Sequence, residues 1–224
     1  MSRSKILERS LSSLPNMAAT SPYNKSVFIN CPFDDAYVPL FQAMIFTLMA
    51  LDFTPRSAFE LDDGAPRLAK IIKIIGECKF GIHDISRTDL DPDNNLPRFN
   101  MPFELGLDIG CTSFSAQPKH KKKVHVILDI EKHRFREYLS DISGQDIKGH
   151  ANDPKKVIRI LRDWLRAAGT HIPAASFLEN EYDEFLGQIG RICSQLNLDH
   201  DGHGFIDFCH IVRTWLDERK SSVL

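Results

Sequence analysis

The sequence predicts an α/β fold in which helices flank a parallel sheet, followed by a C-terminal all-helical appendage. Short β-branched and aromatic segments alternate with longer helical patterns over the first half of the chain. The segment VHVILDI at 124–130 is a continuous apolar run, which is typical of a strand buried on both faces. Later segments carry only helical patterns. We therefore divide the chain into a mobile tail at 1–24, an α/β domain at 25–150 and a helical region at 151–224.

The elements of the α/β domain follow one another in a β-α-β-α-β-α-β order. Right-handed crossovers are expected between such parallel strands, so their carboxyl ends meet at one edge, where the following loops build any ligand site. The second strand is interrupted near its start by Pro55. The first helices lie at 37–51 and 65–78, and the second of these has Leu68, Ile71, Ile72 and Ile75 at helical spacing. We predict the strands at 26–31, 53–60, 79–86 and 124–130.

The helical region contains three amphipathic segments, at 153–169, 175–198 and 205–218. The first of them has Asp153 in the capping position and Pro154 at the first helical position. Trp164 and Trp215 are expected to anchor the packing of these helices.

Composition and charge exclude several classes of protein. The formal net charge of −2 provides no general attraction to nucleic acid, and the basic run KHKKK at 119–123 is more typical of a solvated loop. We therefore expect no direct nucleic-acid partner. The five cysteines are scattered without a C-x-x-C pair, which argues against disulfides or a zinc site and favours a cytoplasmic location. Cys78 and Cys111 lie in apolar contexts and are expected to pack as small hydrophobes. No apolar run approaches the length of a membrane span.

The segment RFNMPFELGLDIG at 98–110 predicts a helix with Asn100 as its cap and Pro102 in its first turn. Glu104 then lies near the helix start, where the helix dipole favours the ionised carboxylate by about 0.3–1 kcal/mol. Asp108 follows one turn later and repels it weakly if both are exposed. Two interpretations remain open: a Glu104 that faces water, or a Glu104 that faces a ligand.

Acidic residues follow two of the predicted strands at the same edge of the sheet. PFDD after the first strand offers Asp34 and Asp35, and Asp84 ends the third strand in GIHDIS. A convergence of acids at strand ends suits a hydroxyl-rich or cationic substrate. The loop that follows, from Ser86 to Phe99, is long enough to indicate a functional role. It carries Asp89, Asp91, Asp93 and Arg98.

GIHDIS followed by RFNMPFELGLDIG resembles the signature of the nucleoside 2-deoxyribosyltransferase-like and TIR-like superfamily. In that superfamily a strand that ends in Asp is followed by a loop and a helix start containing Glu-Leu-Gly. FINCPFDDAYVPLF is similar to the first strand and loop of the same superfamily. The resemblance covers about residues 26–130 and is greatest to bacterial TIR-like proteins of anti-phage defence.

The resemblance implies a flavodoxin-like, TIR-like fold and cleavage of an N-glycosidic bond, most simply hydrolysis of NAD, with no other cofactor and no metal. It makes Glu104 the residue that carries the chemistry. Asp84, Asp34 and Asp35 are candidates for a general acid or for contacts to ribose hydroxyls. Arg87 and Arg98 are candidates for binding a phosphate. The remaining candidate substrate contacts are Asn30, Pro32, Phe33 and Asn100.

One departure from the pattern leaves the substrate open. TIR NADases have a Trp-Cys pair before the catalytic Glu, and this chain has Met101-Pro102-Phe103. A deoxyribosyltransferase, or a nucleotide-binding sensor or adaptor without turnover, are the alternatives. An NADase needs gating, so self-association, the helical region or a defence-system partner protein are expected to control it.

The segment DHDGHGFIDFCH at 199–210 resembles a twelve-residue calcium loop. His210 stands where such loops have a bidentate Glu, so the site would lose two of calcium's oxygen ligands. We interpret the segment as a plain loop between two helices.

Overall fold

The computed structural model describes residues 22–60, 64–88, 90, 95–167 and 172–222. Most of the tail predicted at 1–24 lies outside these ranges, as do Asp89, Asp91 and Asp93 of the long loop. The strands are β1 Ser26–Asn30, β2 Thr54–Arg56, β3 Phe80–Asp84, β4 Val124–Asp129 and β5 Ile147–Gly149. The α-helices are α1 Val38–Ala50, α2 Arg67–Glu77, α3 Asn100–Phe114, α4 Pro154–Ala167, α5 Ala175–Leu196 and α6 Phe205–Ser222.

The five strands form one sheet in the order β2-β1-β3-β4-β5, and every neighbouring pair is parallel. This is the strand order of the flavodoxin-like fold, so the predicted fold class is confirmed. The order reverses between β1 and β3, where Asn30 is paired with His83. Ligands of such sheets bind in the crevice outside the strand ends at this switch point.

The structure differs from the sequence prediction in three elements. β5 was not predicted, because three residues are too few to show a strand pattern. β2 is shorter than predicted and contains Pro55, which is tolerated because β2 is an edge strand. Along α2, Ile71 and Ile75 are buried as expected, but Leu68 and Ile72 are exposed.

The helical region packs directly on the α/β domain. Phe46 of α1 contacts Phe185 of α5 and Trp215 of α6, with ring centroids 5.2 and 5.7 Å apart. One hydrophobic cluster contains residues of β1, β3, β4, α1 and all three C-terminal helices. The predicted cap of α4 is confirmed, because Asp153 Oδ1 accepts a hydrogen bond from the Lys155 backbone N–H at 2.8 Å. None of the helices in the described ranges combines the length and apolar character needed to cross a bilayer.

Helix α3 is attached to the sheet by a buried polar network, which centres on Asp108. The carboxylate of Asp108 is fully buried, and its Oδ2 lies 3.0 Å from His83 Nε2 and 3.1 Å from His125 Nδ1. Its Oδ1 lies 3.1 Å from Lys123 Nζ. These hydrogen bonds and charges hold the pKa of Asp108 well below its usual range, despite the opposing effect of burial. The interpretation of 119–123 as a solvated loop is therefore wrong for Lys123, which is buried as the counter-ion of Asp108.

The same network reaches the first turn of α3 through Asn30. The Asn30 Nδ2 donates hydrogen bonds to the Met101 carbonyl at 2.8 Å and to His83 Nδ1 at 3.1 Å. Since Nδ1 accepts, the proton of the neutral His83 ring is on Nε2, from which it is donated to Asp108. Burial lowers the pKa of His83 and so favours this neutral form.

The network requires a glycine on β3. A Cβ built on Gly81 would lie 2.4 Å from Asp108 Oδ2 and 2.8 Å from His83 Nε2. Neither partner can move freely, because both are buried and hydrogen-bonded. Only glycine therefore lets α3 approach the sheet this closely.

We expect Gly81→Ala to destabilise the protein by about 1–3 kcal/mol, because the added methyl group displaces the Asp108 carboxylate. Urea unfolding followed by circular dichroism measures the loss. The matched control is Gly106→Ala on α3, where a Cβ would meet nothing within 4 Å. That control should leave stability unchanged or raise it by up to about 1 kcal/mol. Equal stability of the two variants would contradict the close approach at Gly81.

Candidate functional site

The ends of β1 and β3 bring three of the predicted acids together around one thiol. Cys31, which follows β1, is fully buried. Burial raises the pKa of its thiol, and the nearby charges of Asp84, Glu104 and Asp34 raise it further. Asp84 ends β3 and Asp34 follows the neighbouring β1, so these two predicted acids lie at the same edge of the sheet.

The Asp84 carboxylate is buried, and protein groups occupy its oxygens. Its Oδ2 accepts a hydrogen bond from the Tyr37 hydroxyl at 2.5 Å, and its Oδ1 accepts one from the Ser86 backbone N–H at 2.8 Å. His150 Nε2 lies 3.1 Å from Oδ2. The Nδ1 of His150 accepts the Asn152 backbone N–H, so we assign the ring proton to Nε2, facing Asp84. Asp84 thus fixes the end of β3, and Tyr37 and His150 are site residues that the sequence did not reveal.

Asp34 and Arg87 form an ion pair that joins the loops after β1 and β3. Arg87 Nε donates to Asp34 Oδ2 at 2.8 Å, and Arg87 Nη2 donates to Oδ1 at 2.6 Å. This bidentate hydrogen bonding lowers the pKa of Asp34. A carboxylate that stays ionised suits charge stabilisation better than the general-acid role considered for it. The same two hydrogen bonds fix the orientation of the Arg87 guanidinium.

The other predicted contacts lie in the segment after β1 and at the start of α3. Asp35 is exposed in the short turn after β1, and Arg98 is exposed just before α3. Asn100 is exposed and is the first residue of α3; the prediction that its side chain caps the helix is wrong, because Phe99 occupies the capping position. Asn100 precedes Glu104 by four residues and therefore lies on the same face of α3. Pro32 is buried, whereas the Phe33 ring is 41% exposed.

Glu104 is buried, with only 6% of its surface exposed, so the interpretation that it faces water is wrong. Within the part of the chain that the structure describes, no hydrogen bond or ion pair reaches its carboxylate, and the carboxylate oxygens keep slight access to solvent. Burial raises its pKa to about 7, and the nearby positive charge of Arg67 opposes this rise. The helix dipole contributes about 0.3–1 kcal/mol in favour of the ionised form, and desolvation outweighs it. A carboxyl group that titrates near neutrality at a switch point has the properties of a reactive group.

Among the described residues, one group of side chains has the spacing of metal ligands. The ligand atoms of His83, Asp108 and His125 all lie within 4.8 Å of one another. They already satisfy one another by hydrogen bonds, and Lys123 supplies the positive charge that a metal ion would bring. The group is therefore explained as the network that holds α3. The prediction of a plain loop at 199–210 holds only for 199–204, which connect α5 to α6, because 205–210 form the first turns of α6.

No family model, curated protein or solved structure matches the chain. Any functional assignment therefore depends on the geometry at the ends of β1 and β3 and on the motifs that resemble the TIR-like superfamily.

The raised pKa of Glu104 predicts a pH-dependent cost in stability. A native pKa of about 7, against an ordinary value of 4.5, means that the folded protein holds this proton more tightly than the unfolded chain does. The free energy of unfolding therefore falls as pH rises from 4.5, the ordinary pKa, through the native pKa of about 7. The total loss is on the order of 3 kcal/mol. Glu104→Gln removes the ionisable group, so we expect it to raise Tm at pH 8 and to change it little at pH 4.5.

Calorimetry of both proteins at the two pH values measures this effect. Glu131→Gln, at an exposed glutamate, controls for the loss of one negative charge. A Tm difference between wild type and Glu104→Gln that is the same at both pH values would refute the raised pKa.

Proposed function

We propose that this protein cleaves the N-glycosidic bond of a nucleotide, and that NAD is its substrate. The observation that carries the proposal is Glu104, a buried carboxyl group without a polar partner in the described chain, at the switch point of the sheet. The resemblance of the motifs around Asp84 and Glu104 to those of TIR-like proteins supports the same assignment.

The chemistry requires a negative charge beside the anomeric carbon of ribose. As the C–N bond breaks, its electron pair leaves with the base and positive charge develops on the sugar. The Glu104 carboxylate stabilises this charge or attacks the carbon as a nucleophile. Water then supplies the hydroxyl group of the product and releases a proton.

The electrostatics of the site favour NAD over a neutral nucleoside. Nicotinamide departs as a neutral molecule and needs no proton, whereas an ordinary base needs a general acid. Asp34 is held ionised by Arg87, and the oxygens of Asp84 are occupied by protein groups, so neither is suited to donate a proton. The pyridinium cation of NAD also brings a positive charge toward Glu104 and favours its ionised form.

The second candidate is deoxyribosyl transfer between bases. One observation favours it: with a pKa of about 7, part of the Glu104 population carries a proton at neutral pH and can donate it to a departing base. The local sequence Met101-Pro102-Phe103 before Glu104 also departs from TIR NADases.

The remaining parts of the proposal concern context and control. As a TIR-like effector, the protein would act in the bacterial cytoplasm in defence against phage. Activity would then be gated by self-association or by a partner protein. Arg98 and Asn100, exposed at the start of α3, stay candidates for contacts to phosphate and ribose.

Incubation of the purified protein with NAD, read by chromatography, tests the proposal. We expect wild type to release nicotinamide. Glu104→Gln should lower the rate at least about 100-fold, because the loss of one electrostatic contact to a transition state has an effect of that order. Because the ionised carboxylate is required, kcat/KM for NAD should rise with pH and level off above about 7.

The alternatives give different results in the same assay. A rate that falls as pH rises, and that requires a second base, would support deoxyribosyl transfer. Thermal stabilisation by NAD without any product would support a nucleotide sensor. Full activity in Glu104→Gln would exclude Glu104 from the chemistry. The mutant's folding is checked by its Tm at pH 4.5.

A further inference from the structure

An apolar cleft of about 180 Å³ lies beside the candidate site. Four phenylalanine rings line it. Among them, the Phe33 ring centroid lies 4.2 Å from that of Phe59 and 5.7 Å from that of Phe41. Phe33 and Phe59 are 41% and 45% exposed, although each contacts another ring. Pockets for drug-sized ligands span about 300–1,000 Å³, so this cleft has the size of a smaller group such as a single heterocyclic ring system.

The cleft and Glu104 are connected through Arg67. The Arg67 guanidinium lies over the Phe59 ring, 4.9 Å from its centroid. The same charge acts on Glu104 and lowers its pKa against the effect of burial. On the other side, Phe33 directly precedes Asp34. The charges of Asp34 and Glu104 both raise the pKa of the buried Cys31 thiol. Pro32, Phe33 and Asp34 follow β1 and line the cleft, so the cleft lies at the edge of the sheet where the strands end.

The opposite wall of the cleft comes from the helical region. His203, Gly204 and Phe205, at the end of the loop between α5 and α6, line the cleft. Phe205 is 93% buried and stacks on Phe41 at 6.0 Å with 30° between the ring planes, which fixes the position of this wall. The Gly204 carbonyl accepts the Phe208 backbone N–H at 3.0 Å, so the wall is also tied to the first turn of α6.

We propose that the loop between α5 and α6 forms the outer wall of a subsite for a planar aromatic heterocycle, and that Gly204 and His203 determine which ring is accepted. This inference deepens the proposed function and names the part of the substrate that the helical region recognises. Aromatic rings on one side provide stacking, which favours a flat base over a sugar or an aliphatic chain. Glycine at position 204 leaves the space that the ring occupies, because a Cβ there would meet only the Asp207 carboxylate, at 4.0 Å.

His203 adds a polar selection element to this wall. Its Nε2 lies 2.8 Å from the Asp199 carbonyl oxygen, which can only accept, so Nε2 carries the proton. Nδ1 is then the acceptor of the neutral ring, and no hydrogen bond to it is formed within the described residues. A ring acceptor on a residue that lines the cleft suits a base that carries an amide or amino group, as nicotinamide and adenine both do.

Gly204→Leu tests the subsite by filling it, and Gly187→Leu is the matched control, because Gly187 lies on α5 with nothing within 4 Å of its added Cβ. Binding of free adenine and of free nicotinamide is measured by ligand-observed NMR on the full chain. KM and kcat for NAD are measured on the same proteins.

We expect Gly204→Leu to weaken binding of the base about tenfold and to raise KM for NAD by a similar factor, with Gly187→Leu unchanged. Phe59→Leu, at an exposed ring, is a second variant that should also weaken binding if Gly204→Leu does not fold.

The outcomes separate this inference from the proposed function. If wild type cleaves NAD and Gly204→Leu and Phe59→Leu both keep its KM and base binding, the subsite is refuted and the function stands. If wild type binds adenine or nicotinamide and Gly204→Leu loses it, but no NAD is cleaved, the subsite stands and the function falls. If wild type binds neither base, the subsite is refuted whether or not NAD is cleaved.

Discussion

The Asp108 carboxylate lies fully buried between α3 and the sheet, and its two imidazole neighbours and Lys123 compensate its charge. Removing such a charge from water is costly, and it is tolerated only where ion pairing and hydrogen bonds satisfy every oxygen. Together with the bond from Asn30 to the Met101 carbonyl, this network holds α3 at two points along its length. Glu104 lies between the two points, so its position is set by contacts that it does not make itself.

The acids near the strand ends differ in the hydrogen-bond and ion-pair partners of their carboxyl groups. Asp129 at the end of β4 is buried and paired with Arg134, and Tyr138 donates a hydrogen bond to it at 2.8 Å. Asp84 is equally well satisfied by Tyr37 and the Ser86 backbone. Glu104 is also buried, although 6% exposed where Asp84 and Asp129 are fully enclosed, and it lacks their partners in the described chain. Desolvation without a compensating partner is what separates Glu104 from the structural carboxyl groups around it.

The sheet and its helices could be predicted from the sequence because apolar periodicity reports directly on what is buried. The same pattern could not show which polar residues are buried with it. Asp108 and Lys123 have the sequence contexts of a helix surface and a basic loop, and only the tertiary packing of α3 on β3 brings them together. The burial of Glu104 was equally ambiguous, since a helix start with apolar flanks suits either a solvent-facing or a ligand-facing acid. β5 escaped prediction because it is defined by its pairing with β4 rather than by its own composition.

The isolation of Glu104 has a consequence for how this chain can change over evolutionary time. Its carboxylate supports no other described residue, so mutation of this one position leaves the surrounding scaffold intact, whereas Asp108 and Gly81 are constrained by every group they touch. The unpartnered carboxyl group and the residues that hold the helix are therefore separate positions of the same helix. A single nucleotide substitution at codon 104 would therefore exchange this buried carboxyl group without removing any contact that positions α3.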